Sequence, residues 1–233
     1  RPGSMDLHSV MLTLHIVAGS VALMTMMMAY VTKKGPKAHA KFGRVYGMAM
    51  VAVGLTAAIL FLLGASTFLL LIAFFSTYLV LVGWRFAKNR RGDIGAVDRW
   101  LLIMGAVGGI GLSAMAAWIA ISGEAPLGTS RGFAVVPAIF AAVLIGLVVQ
   151  QRMLQSGEKG PRGKQRIALH VTYMGAGTIA TVTAFTITVF GSNVLTWLGA
   201  TVIGTPLLMW NQIGVDKGKV ASSVTAMDDS TEA

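Results

Sequence analysis

Cysteine is absent from the 233 residues, and charged residues make up only 12% of the chain. Without thiols the chain forms no disulfide, no thiolate metal site and no cysteine nucleophile. Soluble domains carry roughly 25% charged residues, whereas 55% of this chain is hydrophobic. The apolar residues form runs of about twenty, the length of a helix that crosses a hydrocarbon core of about 30 Å. The composition therefore predicts an integral membrane protein.

Seven apolar runs predict an all-α membrane domain, a seven-helix bundle over residues 5–215. The predicted spans lie near 7–31, 44–63, 67–84, 99–121, 132–152, 167–190 and 194–213. Residues 1–4 have the sequence of an expression-tag remnant, and residues 216–233 are small, polar and acidic, as in a disordered tail.

Basic residues set the predicted orientation of the bundle. Seventeen of the 19 Lys and Arg residues lie in three loops and the C-terminal tail, all on one side of the predicted spans. The positive-inside rule then places the N-terminus outside and the C-terminus in the cytoplasm, with the chain in a bacterial inner membrane. The net charge of +10 therefore predicts contact with anionic lipid headgroups and not with nucleic acid.

Residues at the cytoplasmic ends of the spans are predicted to anchor the chain in the lipid surface. Each basic residue near the surface attracts anionic lipid by about 1 kcal/mol, and tryptophan and tyrosine favour the interface. The predicted anchors are Lys33, Lys34, Lys37, Lys41, Arg44, Tyr46, Trp84, Trp100 and Trp210.

Small residues are concentrated in the fourth and sixth spans, for example in GAVGGIGLSAMAA. Such faces let helices approach closely, so we predict these two spans in the middle of the bundle. The bulkier third span, with FLLLIAFFSTYLVLV, is predicted toward lipid. Association into an oligomer is left open.

No Asp, Glu, Lys or Arg lies in the centre of a predicted span. This argues against a carboxylate-based proton pump, against a retinal protein with its lysine in the seventh helix, and against paired-carboxylate catalysis within the membrane. Two histidines remain inside the spans, His15 toward the outside and His170 near the cytoplasmic end. Their predicted depths differ by about 18 Å, so they cannot share one metal ion, whose histidine bonds are about 2 Å.

The four histidines are predicted to form an outer pair and an inner pair. His8 lies seven residues before His15, on the same helical face, and His39, in the loop before the second span, approaches His170 from the cytoplasm. Each histidine also suits a plain hydrogen-bonding role between helices. Intramembrane ionisable residues favour function. The candidate cofactor-binding residues are His170, His39, His15, Tyr173 and Met174, and the candidate metal ligands are His15 and His170.

The stretches LHIVAGSVAL and KKGPKAHAKFGRVYGMAM resemble the opening half of a family of bacterial membrane proteins defined only as a domain of unknown function. The shared pattern is a Leu-His motif in the first helix, then Lys-Lys-Gly, a histidine, and Gly-Arg-x-Tyr at the next helix. A later histidine also fits, whereas Ala40 stands where a basic residue is expected. The resemblance covers about residues 10–85 and implies a membrane location without an activity. The matching residues are His15, Gly19, Lys34, Gly35, His39, Gly43, Arg44, Tyr46 and His170.

Neutral imidazole is a common ligand of haem iron and of copper or zinc. The sequence therefore favours a membrane redox or cofactor-binding protein, with haem b or a transition metal as the cofactor. At most one haem is predicted, on His170 with His39 as the candidate second ligand. Two alternatives stay open: a transporter or channel for a small neutral solute, and a sensor or assembly factor without catalysis. A zinc hydrolase is disfavoured, because it needs about three convergent ligands and a general base.

Overall fold

The computed structural model describes residues 6–35 and 37–216, and these residues form seven α-helices. Six helical segments are long and apolar enough to cross a membrane, and Val194–Trp210 is a shorter apolar stretch. The fifth of these segments includes the 3-10 turn that precedes its α-helix. The predicted helical membrane bundle is thus confirmed for the described residues. Residues 1–4 and the tail from 217 onward lie outside them. The helices are α1 (Leu7–Val31), α2 (Ala38–Leu62), α3 (Thr67–Lys88), α4 (Ala96–Ser122), α5 (Val135–Leu154), α6 (Gly163–Phe190) and α7 (Val194–Asp216).

The helices extend beyond the predicted spans, chiefly where the basic loops begin and end. α2 starts at Ala38 instead of 44, α3 continues to Lys88 instead of 84, and α6 starts at Gly163 instead of 167. Helical hydrogen bonding continues past the hydrocarbon core, so a hydropathy limit marks the lipid boundary and not the end of the helix. His39 therefore lies in the first turn of α2 and not in a loop.

Consecutive helices run in opposite directions, which gives the bundle two distinct ends. His15 near the start of α1 contacts Thr56 near the end of α2, and His39 at the start of α2 contacts Ala29 near the end of α1. Residues 32–35 and 37 and the loops 89–95 and 155–162 lie at one end, which we name the basic end after its Lys and Arg residues. The opposite end holds the start of α1 and the connections 63–66, 123–134 and 191–193.

Helix α3 occupies the middle of the bundle, so its predicted position toward lipid is wrong. It packs against α2, α4 and α6, and Tyr78 and Val80 are completely buried. A Cβ built at Gly105 of α4 would lie 2.6 Å from the Tyr78 ring, and one at Gly177 of α6 would lie 2.8 Å from Val80. The small-residue faces of α4 and α6 receive the bulk of α3. Small-residue faces indicate that two helices approach closely, but they do not indicate which of the two helices lies at the centre of the bundle.

Buried polar side chains join α3, α4 and α5 toward the basic end. Arg85 donates two hydrogen bonds to Asp98, at 2.9 Å from Nε and 2.8 Å from Nη2. The hydroxyl of Tyr78 donates to Gln151 over 2.7 Å. These contacts tie α3 to α4 and α5.

Candidate functional site

The inner histidine pair, His39 and His170, forms one site at the basic end. Their ring centres are 6.3 Å apart and the rings meet edge to face, at 88°. The sequence predicts these histidines about one and a half helical turns apart in depth. The structure brings them together because α2 begins earlier than hydropathy indicates, which carries His39 into the bundle.

Each imidazole of the inner pair is held through Nδ1 by a backbone carbonyl of another helix. Nδ1 of His39 lies 2.9 Å from the carbonyl oxygen of Ala29, and Nδ1 of His170 lies 2.8 Å from that of Gly83. A carbonyl only accepts, so Nδ1 carries the hydrogen in both rings and the lone pair of a neutral ring is at Nε2. This arrangement fixes the tautomer and orientation of metal-binding histidines.

The two imidazoles of the inner pair are close enough that His39 and His170 could hold one metal ion together, since histidine–metal bonds are about 2 Å long. Met174 packs against Gly83, whose carbonyl accepts from His170: a Cβ built at Gly83 would come within 3.2 Å of the Met174 sulfur. Among the described residues, no three His, Cys, Asp or Glu side chains are grouped as a metal site.

Positive charge surrounds the inner pair. Lys34 donates through Nζ to the carbonyls of Ala29 and Tyr30 at 3.2 and 3.4 Å; the residue as a whole is exposed, and the partial loss of solvent around its ammonium group lowers the pKa of that group. Arg166 is buried and donates through Nη1 to two carbonyls of the last turns of α3, at 3.0 and 2.6 Å. Both cations thus bind the C-terminal ends of helices, where the helix dipole favours them.

The outer pair, His8 and His15, lines a separate cavity at the opposite end of the bundle. The cavity has a volume of about 500 Å³ and is bounded by α1, α2, α3, α6 and α7. Nδ1 of His15 lies 2.9 Å from Oγ1 of Thr56. That hydroxyl already donates to the carbonyl of Ala52, so it accepts from His15, whose lone pair is again at Nε2.

The two other candidate ligand residues lie on different sides of α6. Met174 lies with the inner pair, as described above. Tyr173 is completely buried in an aromatic group with Tyr78 and Phe86, and its hydroxyl donates to the carbonyl of Leu147 over 2.6 Å. The phenol is therefore already engaged with α5.

The predicted lipid anchors divide into surface residues and packed residues. Trp100 and Trp210 are 70% and 76% exposed, which suits an interfacial position. Trp84 is half-buried against Gly47, with Nζ of Lys88 4.5 Å from the centre of its ring system. Tyr46 is buried and its hydroxyl bonds to Thr181 over 3.0 Å, so this residue packs inside the protein. The exposed basic anchors are Lys33, Lys34, Lys37, Lys41 and Arg44.

The residues that orient the histidines carry no signal in the sequence. The carbonyls of Ala29 and Gly83 are backbone groups, and Thr56 is one threonine among many. They are recognised only when the helices are placed side by side.

Comparison with protein families, with characterised proteins and with solved structures finds no match to this chain. The similarity to a family of bacterial membrane proteins stays a prediction, and a function is argued from the histidine sites alone.

Proposed function

We propose that this protein binds one haem b between His39 and His170 and takes part in electron transfer in a membrane. The observation that carries the proposal is the pairing of two imidazoles from different helices, each with Nδ1 hydrogen-bonded to a carbonyl. Both rings thereby keep Nε2 for a metal. His39 and His170 would hold the haem, which would supply one-electron redox chemistry, and the protein fixes the orientation of the two rings.

The charge around the inner pair favours haem over a bare metal ion. Lys34 donates to the same Ala29 carbonyl that accepts from His39, and Arg166 lies one helical turn before His170 on α6, so both cations would repel a bare divalent ion. Haem b instead carries two carboxylates, which basic side chains attract. Met174 could supply a soft thioether to copper, which makes copper the main competing metal.

We infer further that the basic end faces the cytoplasm and that the protein belongs to a bacterial inner membrane. The N-terminus would then be outside and the C-terminus inside. The exposure of Lys33, Lys37, Lys41 and Arg44 supports contact with anionic lipid headgroups. Trp100 and Trp210 would lie at the same interface.

The direct test is the absorbance spectrum and metal content of the protein purified from haem-supplied cells. We expect a Soret band and about one iron per chain. His170→Ala and His39→Ala should each lower haem content at least tenfold or so, whereas His8→Ala, at the opposite end, should leave it unchanged. Added imidazole should restore the two-ligand spectrum of His39→Ala, which a loss of folding would prevent.

Two outcomes contradict the proposal. One is wild-type protein without a Soret band after haem supply. The other is a haem that both inner variants retain with an unaltered spectrum. If copper or zinc is bound instead of haem, the inner pair is a metal site and the proposed cofactor is wrong.

The outer cavity is the observation that supports the alternative function, a transporter or channel for a small neutral solute. A cavity of about 500 Å³ is within the range of small-molecule sites. Flux of a neutral solute in proteoliposomes above that of empty vesicles, with no haem bound, would favour transport.

A further inference from the structure

The cavity at the opposite end of the bundle has an apolar wall and a polar floor. Its wall includes Leu60, Leu69 and Ile187, and none of its described lining residues is Asp, Glu, Lys or Arg. His15 and Ser76 lie roughly 12 and 14 Å from the starts of α1 and α3, by the helical rise per residue, so they share one depth. A neutral and largely apolar molecule fits such a cavity better than an ion.

The floor presents hydrogen-bond acceptors. The hydroxyl of Ser76 donates to the carbonyl of Ile72 at 2.9 Å, which leaves its oxygen lone pairs. Nδ1 of His15 donates to Thr56, which leaves the Nε2 lone pair. Nearer the turns, Nε1 of Trp197 donates to Ser192 at 2.8 Å. A ligand that reaches the floor must therefore donate hydrogen bonds.

We propose that this cavity binds a lipid-soluble phenol or hydroquinone whose hydroxyl donates to Nε2 of His15. The oxygen of Ser76 is a second acceptor at the same depth, and the ring packs against the apolar wall. Thr56 acts as a positioning residue, because it keeps the hydrogen of His15 on Nδ1. The proposal is independent of the haem site, which lies at the other end of the bundle.

The test compares a ligand that can donate hydrogen bonds with its methyl ether, which cannot. Trimethylhydroquinone, kept reduced, and its dimethyl ether are measured by equilibrium dialysis of protein-containing nanodiscs against empty nanodiscs of the same lipid. We expect the hydroquinone to bind about tenfold more tightly, the factor that one hydrogen bond contributes. Equal affinity of the two ligands, or no saturable binding, would overturn the proposal without any variant.

Variants assign the preference to particular residues. His15→Leu and Thr56→Val should remove the preference for the hydroquinone, Thr56→Ser should keep it, and Ser20→Ala on the exposed side of α1 should leave it unchanged. A preference that survives in His15→Leu would refute the assigned acceptor. Haem content measured on the same samples separates a failure here from a failure of the haem proposal.

Discussion

His15, His39 and His170 each donate Nδ1–H to an oxygen on a neighbouring helix. The acceptors are the carbonyls of Ala29 and Gly83 and the hydroxyl of Thr56. An isolated ring inside a membrane would leave two polar nitrogens without partners, at a cost of several kcal/mol. These contacts satisfy one nitrogen of each ring and leave the other for a ligand.

The sequence identifies only some of the candidate site residues on α6. His170 is evident as an ionisable residue inside a span. Met174 and Tyr173 follow it at +40° and −60° around the helix, by its 100° step, and sequence spacing cannot decide which one shares its contacts. The structure places Met174 beside His170 and turns Tyr173 toward α5.

At the residue scale we expect the Arg85–Asp98 pair to contribute strongly to stability. Its side chains are only 26% and 7% exposed, and Asp98→Asn would leave the Arg85 guanidinium without a charged partner. We expect a loss of about 2 kcal/mol in the free energy of unfolding, measured by denaturant titration in mixed micelles.

The matched control is Asp93→Asn at an exposed ion pair. The side chains of Asp93 and Lys159 are 55% and 54% exposed, so the substitution should change stability little. The hydrogen bond from Lys159 lowers the pKa of Asp93. Any contribution from this pair is therefore present at neutral pH and is lost as the pH falls through that lowered pKa. Equal effects of the two substitutions would contradict this view of the buried pair.

At the scale of the helices, hydropathy predicts where each helix lies in the sequence. It does not predict which helices pack against each other. Seven apolar runs became seven helices because a membrane allows no other use of such runs. The sequence prediction for the centre of the bundle is wrong, because the glycines on α4 and α6 indicate a bulky neighbour without identifying it as α3. Hydropathy places the second span from 44 onward, whereas α2 begins at Ala38, so the span limit does not show that His39 packs against His170.

Close contact between α3 and α4 is testable at Gly105. A Cβ there would lie 2.6 Å from both the Tyr78 ring and a methyl group of Val148, so Gly105→Ala should cost about 1–3 kcal/mol. Gly146→Ala on the exposed face of α5 is the control, since no atom lies within 4 Å of its Cβ position. Thermal unfolding should separate the two variants, and a destabilised Gly146→Ala with an unchanged Gly105→Ala would contradict the packing described.

At the scale of the whole molecule, the bundle divides its chemistry between two ends. The basic end holds the inner histidine pair with Lys34 and Arg166, and the opposite end holds the neutral cavity with His15. The division follows from antiparallel packing, because alternate loops lie at the same end and the basic residues are confined to one set of loops. The proposed haem and the proposed hydroquinone site are thereby separated across the membrane.

The measurement that tests this account most directly is the sidedness of single cysteines, which the cysteine-free chain makes unambiguous. Ser9→Cys and Ser130→Cys at the opposite end should react with a membrane-impermeant maleimide in intact cells. Ser156→Cys at the basic end and Ser222→Cys in the tail should react only after the membrane is permeabilised. Labelling of Ser9→Cys and Ser222→Cys from the same side, or of every position in a water-soluble protein, would contradict the seven-helix membrane bundle.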